Sequence, residues 1–289
     1  MHRRLPRLLL VPMAVVPVLG ALAVFGPAAS ARTTGPAPVS PGAQAAAAAR
    51  AALRQLVIGQ HATDHPVATR ASKINGLNQV DSTNWSGYAD DNTGGNTYAA
   101  VAGNWTEPSA SCMPRESLAA FWVGIDGYTS TSVEQDGTLI ECYRSRAYYY
   151  TWWEMYPSNA IQVAGGSLQP GDRISASVAR SGGSYTLRVS DSTRPANSFS
   201  TTQSCSGCAS SSAEWIAEAP SGSSGVYPLS DFHSWSASGA TVTSGSAGVI
   251  SSFPDDELTM IGSSGAVKAQ PGALGGGGGS FTVTWERSS

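Results

Sequence analysis

The chain has 289 residues, with 17 Lys and Arg against 20 Asp and Glu, a formal charge of −3 and 13% charged residues. This balance gives no sign of a nucleic-acid surface, and nothing in the sequence indicates a nucleotide or a metal. The length accommodates one large domain with a sizeable core, preceded by leader segments.

The chain opens on the three parts of a secretory signal: His2-Arg3-Arg4, an apolar run from Leu8 to Phe25, and the small-residue site Ala29-Ser30-Ala31. Cleavage is expected after Ala31, giving a signal peptide over 1–31 and a secreted, extracellular product. Pro12 and Pro17 argue against the alternative of an uncleaved anchor. Between Arg32 and Val80 the chain is rich in Pro and Ala and carries Arg32, Arg50, Arg54, Arg70 and Lys73 against one acid, Asp64. Gln44 to Val57 reads as an Ala-rich helix too short to stand alone, with Leu53, Leu56 and Val57 as its apolar contacts. From Asp81 onward there are nine basic and nineteen acidic residues, a net of −10. Opposite charge predicts that 32–80 is a removable basic prosegment lying over an acidic domain, 81–289. On this view its Arg and Lys residues, Lys73 nearest the junction, pair with cleft carboxylates and release as these protonate. A disordered secretion linker is the plainer alternative.

Beyond the prosegment no stretch keeps a helical period, whereas short runs alternate with period two between Gly, Ser, Asn and Pro turns. The domain is expected to be all-β, a sandwich of two large antiparallel sheets of jelly-roll or concanavalin-like form. In Ala119 to Gly127, Phe121, Val123 and Ile125 share a core face, leaving Trp122, Gly124 and Asp126 opposite. Tyr148, Tyr150, Trp152, Glu154 and Tyr156 share one face of a strand, setting a carboxylate in an aromatic wall. Glu214, Ile216 and Glu218 share a face opposite Ala213, Trp215 and Ala217. A carboxylate among apolar groups can switch between acid and base at low pH; a solvated outer face is the plainer reading of both strands. Ile174, Ala176 and Val178, then Tyr185, Leu187 and Val189, and finally Phe281, Val283 and Trp285 repeat the alternation. Gly275 to Gly279 reads as a flexible loop.

Cys112, Cys142, Cys205 and Cys208 lie beyond the signal and predict two disulfides, with Cys112–Cys142 and Cys205–Cys208 the favoured pairing of three. A zinc site is disfavoured because the single CxxC has no second, and His233 alone remains among histidines after position 80. No G-x-S-x-G elbow, H-E-x-x-H or pair of Asp-Thr/Ser-Gly turns is present, and His233 reads as a strand-edge residue. What remains is carboxylate and amide chemistry. The sequon-like strings at Asn84 and Asn104 fall in strand contexts and are not expected to carry glycans.

Seven strings occur in one order: Asn84-Trp85-Ser86-Gly87-Tyr88-Ala89, Trp122 to Gly127, Val133 to Gly137, Glu154-Met155-Tyr156-Pro157, Gly171-Asp172, Ala213 to Glu218 and Tyr227-Pro228-Leu229. In this order the chain resembles the glutamic peptidases, the eqolisins, over nearly all of 81–289. The resemblance implies a β-sandwich acid endopeptidase made as a zymogen, insensitive to pepstatin and needing no cofactor. It places the catalytic pair on Gln135 and Glu218, with Glu214 as the neighbour that periodicity alone does not separate from Glu218. Trp85, Trp122, Glu154 and Tyr156 then line the substrate cleft, and Asp126 supports it. The implied partners are protein or peptide substrates and the chain's own prosegment as inhibitor, on a monomer. Two rivals use the same aromatic and carboxylate faces: a secreted β-sandwich glycoside hydrolase and a carbohydrate-binding module.

Overall fold

The computed structural model describes residues 72–74 and 77–289, except 129, 160, 166 and 223. The expected signal segment, the prosegment through residue 71 and its helix lie outside the described residues. Among the described residues no helix is long and apolar enough to cross a membrane.

The described residues form strands joined by turns and two short 3-10 segments. In chain order these are β1 (Ser72–Ile74), β2 (Leu77–Ser82), β3 (Trp85–Asp90), β4 (Ala100–Thr106), β5 (Ser117–Ile125), β6 (Val133–Tyr143) and β7 (Arg146–Tyr156). There follow β8 (Gln162–Gly165), β9 (Arg173–Ser181), β10 (Ser184–Asp191), β11 (Phe199–Ser204), β12 (Ala213–Glu218), β13 (Ser221–Gly222) and β14 (Gly225–Val226). The last are β15 (Ser234–Ser244), β16 (Ser246–Val249), β17 (Asp255–Ile261), β18 (Val267–Pro271) and β19 (Phe281–Trp285). The strands expected from alternation are all present, and the fold is all-β.

One sheet runs β8-β7-β6-β5-β12-β3-β17, every pair antiparallel. β2 adds to β17 in parallel, so this strand straddles the expected junction between residues 80 and 81. β18 and β19 lead from β17 to the first half of β15. The other sheet runs β16-β15-β4-β9-β10-β11. β15 serves both sheets and changes over at a register shift between Ser238 and Thr241. A bulge there turns the strand sharply enough to close one end of the sandwich.

The core follows from the alternation. Phe121, Val123, Ile125 and Trp215 of the first sheet meet Val178, Tyr185, Leu187 and Val189 of the second. Trp235 stacks on Phe121 at 5.4 Å between centroids and meets Trp105 edge-on at 5.7 Å. Each such side chain stabilises the fold by roughly 1.5–3 kcal/mol through burial. Four-residue or longer runs of β3, β5, β6 and β12 are buried on both faces, because a second apolar cluster covers the other side of the first sheet. Trp85, Trp122, Leu139, Tyr150, Trp152 and Ile216 belong to it. A solvated outer face is therefore ruled out for these strands.

Both disulfides have the expected pairing, Cys112–Cys142 and Cys205–Cys208. Two local expectations change. β5 ends at Ile125, and Asp126 turns away at a φ of 70°, so it does not continue the Trp122 face. Gly275 to Gly279 forms a hydrogen-bonded turn bridged between Gly275 and Ser280, with Gly276, Gly277 and Gly278 at positive φ. Glycine tolerates this left-handed backbone without a steric penalty, so the run encodes a turn geometry as well as freedom.

Candidate active site

Whereas Glu134 and Asp136 of β6 alternate to the other face, Glu154, Glu214 and Glu218 lie on the face of the first sheet that is turned from the core. Alternation places Glu218 and Ile216 of β12, Trp122 of β5, Gln135 of β6, and Trp152 and Glu154 of β7 on it. Trp85, Trp122, Gln135, Glu154 and Glu218 are all fully buried.

Glu218 ends β12, level with Trp85 on one side and Ala120 on the other. The Trp122 indole N–H donates to its Oε2 at 2.9 Å, and the Asn84 amide donates to its Oε1 at 3.4 Å. Two neutral N–H donors stabilise a carboxylate over the acid form and do not change charge with pH. Asn84 is held in turn: its backbone N–H and that of Trp85 donate to the Ser82 hydroxyl, and its carbonyl accepts from Ala219 N at 2.8 Å. The motif around Asn84 was legible, but its reach to Glu218 was not, because 134 residues separate the two. Full burial of Asn84 also fits the expectation that it carries no glycan.

Gln135 lies level with Gly124 and with Glu154. Its Nε2 donates to Glu154 Oε2 at 3.1 Å, which fixes the plane of the amide. Along β5, the levels of Gln135 and Glu218 are four residues apart, at Gly124 and Ala120. Trp122 spans this offset. Its N–H meets Glu218, while its six-membered ring lies where a Cβ on residue 124 would come within 2.8 Å of it. Glycine at 124 is what lets the indole lie between the two levels. Trp85 packs edge-on against Trp122 at 4.9 Å.

The aromatic wall of β7 is present. Tyr150 and Trp152 are buried in the outer cluster, Tyr148 and Tyr156 pack against it, and the Tyr150 hydroxyl donates to Glu141 Oε2 at 3.3 Å. Burial pushes the Glu141 carboxyl up to about 7; Tyr150 lowers it and Glu116 raises it.

Glu214, level with Gly124 and so with Gln135, differs from Glu218. Burial holds its carboxyl well above the usual carboxylate range; Ser212 lowers it, and the charges of Asp126 and Glu134 raise it further. Asp126 is not brought to the Glu218 group. Its carboxylate accepts from Ser210 N and Ser211 N, each at 2.7 Å, and from the Ser211 hydroxyl, tying the end of β5 to the segment before β12.

Elsewhere, at the surface, the Ser111 hydroxyl is hydrogen-bonded to His233 Nε2 and Asp231 Oδ1 lies 3.3 Å from His233 Nδ1, with the His233 side chain 55% exposed. His233 immediately precedes β15, as a strand-edge residue. Among the described residues one group of potential metal ligands, Glu134 with Cys205 and Cys208, lies within 4.8 Å, but both sulfurs are spent in the disulfide.

Residues 83–272 match the model of the Peptidase A4 family. Aspergillopepsin-2 of Aspergillus niger is 30% identical over 240 residues, covering 74% of this chain and 81% of its own. Scytalido-glutamic peptidase, solved with a transition state analog inhibitor, superposes with a TM-score of 0.60 at 22% identity, over 71% of this chain and 98% of its own. SCP-B, an eqolisin solved with the tripeptide Ala-Ile-His, does so with a TM-score of 0.58 at 22% identity and the same coverages. These likenesses do not favour the glycoside hydrolase or carbohydrate-binding readings. The chain belongs to the Peptidase A4 family and is a glutamic-type peptidase.

Proposed function

We propose that the chain is a secreted acid endopeptidase in which Glu218 is the general base and Gln135 the oxyanion donor. The observation that carries this reading is the pair of N–H donors, Trp122 and Asn84, on the Glu218 carboxylate, on the same sheet face as Gln135. A base working in acid must remain ionised there, and these donors favour the ionised form. Glu214 shares a level with Gln135, but burial first, and then the charges of Asp126 and Glu134, raise its carboxyl well above the usual carboxylate range.

Glu218 takes a proton from a water held between itself and Gln135, and the water's oxygen adds to the scissile carbonyl. The Gln135 amide donates to the developing oxyanion, an interaction worth about 3 kcal/mol in comparable settings. Glu154 orients that amide. The proton on Glu218 then passes to the leaving amine as the C–N bond breaks, which restores the carboxylate. The scheme uses no metal or cofactor. Trp85, Trp122, Glu154 and Tyr156 line the cleft, with Asp126 bracing the end of β5. The mature enzyme is a monomer spanning 81–289, and the basic 32–80 segment inhibits it until cleft carboxylates protonate.

The test is digestion of denatured casein at about pH 3 to 4, near ordinary carboxylate pKa values, with pepstatin present. Processed wild type should cleave; Gln135→Ala and Glu218→Ala should not; Glu214→Gln should. Activity surviving in Glu218→Ala, or lost only in Glu214→Gln, would overturn the assignment.

A further inference from the structure

We propose that Ser111 is a second nucleophile of this protein, able to accept an acyl group from an activated ester, with His233 as its base and Asp231 orienting the imidazole. Ser111 lies far in the chain from Asp231 and His233, yet the three side chains fall in the order such chemistry needs. Ser111 Oγ lies 3.2 Å from His233 Nε2, and His233 Nδ1 lies 3.3 Å from Asp231 Oδ1. The Asp231 carboxylate beside Nδ1 favours the ring proton at that nitrogen, which leaves Nε2 as the acceptor for the serine hydroxyl.

The fold holds this series in place from several sides. The His233 backbone N–H donates to the same Asp231 oxygen at 3.0 Å, and the His233 carbonyl accepts from Trp285 N at 2.9 Å. Ser111 is bridged to Asp231, its N–H donating to the Asp231 carbonyl at 2.8 Å, and the next residue, Cys112, is anchored by its disulfide. Between Asp231 and His233, Phe232 is fully buried and packs edge-on to Phe121 at 5.1 Å, pinning the turn to the core. His233 itself is held at a φ of 59°, a region where a non-glycine residue is strained and stays only when its surroundings fix it.

In the reaction the Ser111 hydroxyl oxygen bonds to the ester carbonyl carbon while its proton moves to His233 Nε2. The ester C–O bond breaks, the leaving alcohol takes that proton, and acyl-Ser111 remains. Water activated by the same nitrogen then releases the carboxylic acid and restores the hydroxyl. This chemistry uses none of the side chains assigned to peptide cleavage, so substitutions separate the two activities.

The experiment treats the full chain at pH 7 with p-nitrophenyl acetate, follows nitrophenolate release, quenches with acid and maps acetylation by peptide mass spectrometry. Near-UV circular dichroism of the same samples reports the fold. One acetyl group is expected on Ser111, forming at least about tenfold faster than in His233→Ala, in line with general-base contributions. Asp231→Asn should slow it in the same direction, Ser111→Ala should abolish it while keeping casein cleavage in acid, and Glu218→Gln should label like wild type. The proposal fails if folded wild type gains no acetyl on Ser111, if acetylation spreads evenly over surface residues, or if His233→Ala labels as fast as wild type.

Discussion

Glu107 offers the sharpest test of how this fold depends on acid. It follows β4, is 1% exposed, and accepts from the Trp105 indole at 3.4 Å. Burial pushes its carboxyl from an ordinary 4.5 up to about 8; hydrogen bonds from Thr138 and Trp105 lower it, and Asp172 and Asp191 raise it. The folded state then holds a proton that the unfolded state has lost anywhere between these two values, so stability must fall as pH rises through that window. Below 4.5 both states are protonated and the contribution is intact. By pH 8 the loss approaches about 5 kcal/mol, taking 1.36 kcal/mol for each pH unit as an upper figure. Glu107→Gln keeps the shape and removes the titration. Urea unfolding of the two proteins at pH 4, 6 and 8 should give similar stability at pH 4 and a growing advantage for the variant above it. Parallel declines in both proteins would refute the argument that this buried carboxyl is a source of neutral-pH instability. The same sign applies to Asp90 and Glu134, each pushed up to about 9 chiefly by burial.

Three further outcomes follow from the same geometry. Asn84→Ala removes one N–H donor from Glu218, so the acid limb of kcat/KM against pH should move to higher pH; a purely structural role would lower activity equally at every pH. Lys268 is 4% exposed, donates to the Thr83 carbonyl, and is lowered by burial from 10.5 to about 8. Its folded-state pKa is depressed, so the penalty of burying the ammonium is full below pH 8, and Lys268→Met should stabilise the fold at pH 5 by up to about 3 kcal/mol, seen as a higher melting temperature. A lower melting temperature would show that the Thr83 bond outweighs desolvation. Replacing Cys112 and Cys142 together by Ser opens a 30-residue loop and should cost about 3 to 4 kcal/mol in urea unfolding.

The sequence by itself determined the strand class and the main faces; it favoured one of three cysteine pairings, and the tertiary structure settled that pairing. Period-two alternation is a local property of the chain: Phe121, Val123 and Ile125 had to share a side, as did the Tyr148 to Tyr156 row and the Glu214 to Glu218 row. It could not separate Glu214 from Glu218, because residues four apart on a strand are equivalent by period. Tertiary structure made them different by setting one within reach of the Asp126 and Glu134 charges and giving the other the N–H groups of Trp122 and Asn84. The Asp126 side chain changed roles for a related reason, since a positive φ after Ile125 ends the strand and the alternation with it. Ser111, Asp231 and His233 show the same division. The absence of a G-x-S-x-G elbow was legible, but only the folding of two distant loops onto one another brings the Ser111 hydroxyl to the His233 imidazole and Asp231, because contact across more than a hundred residues is decided by the pairing of strands.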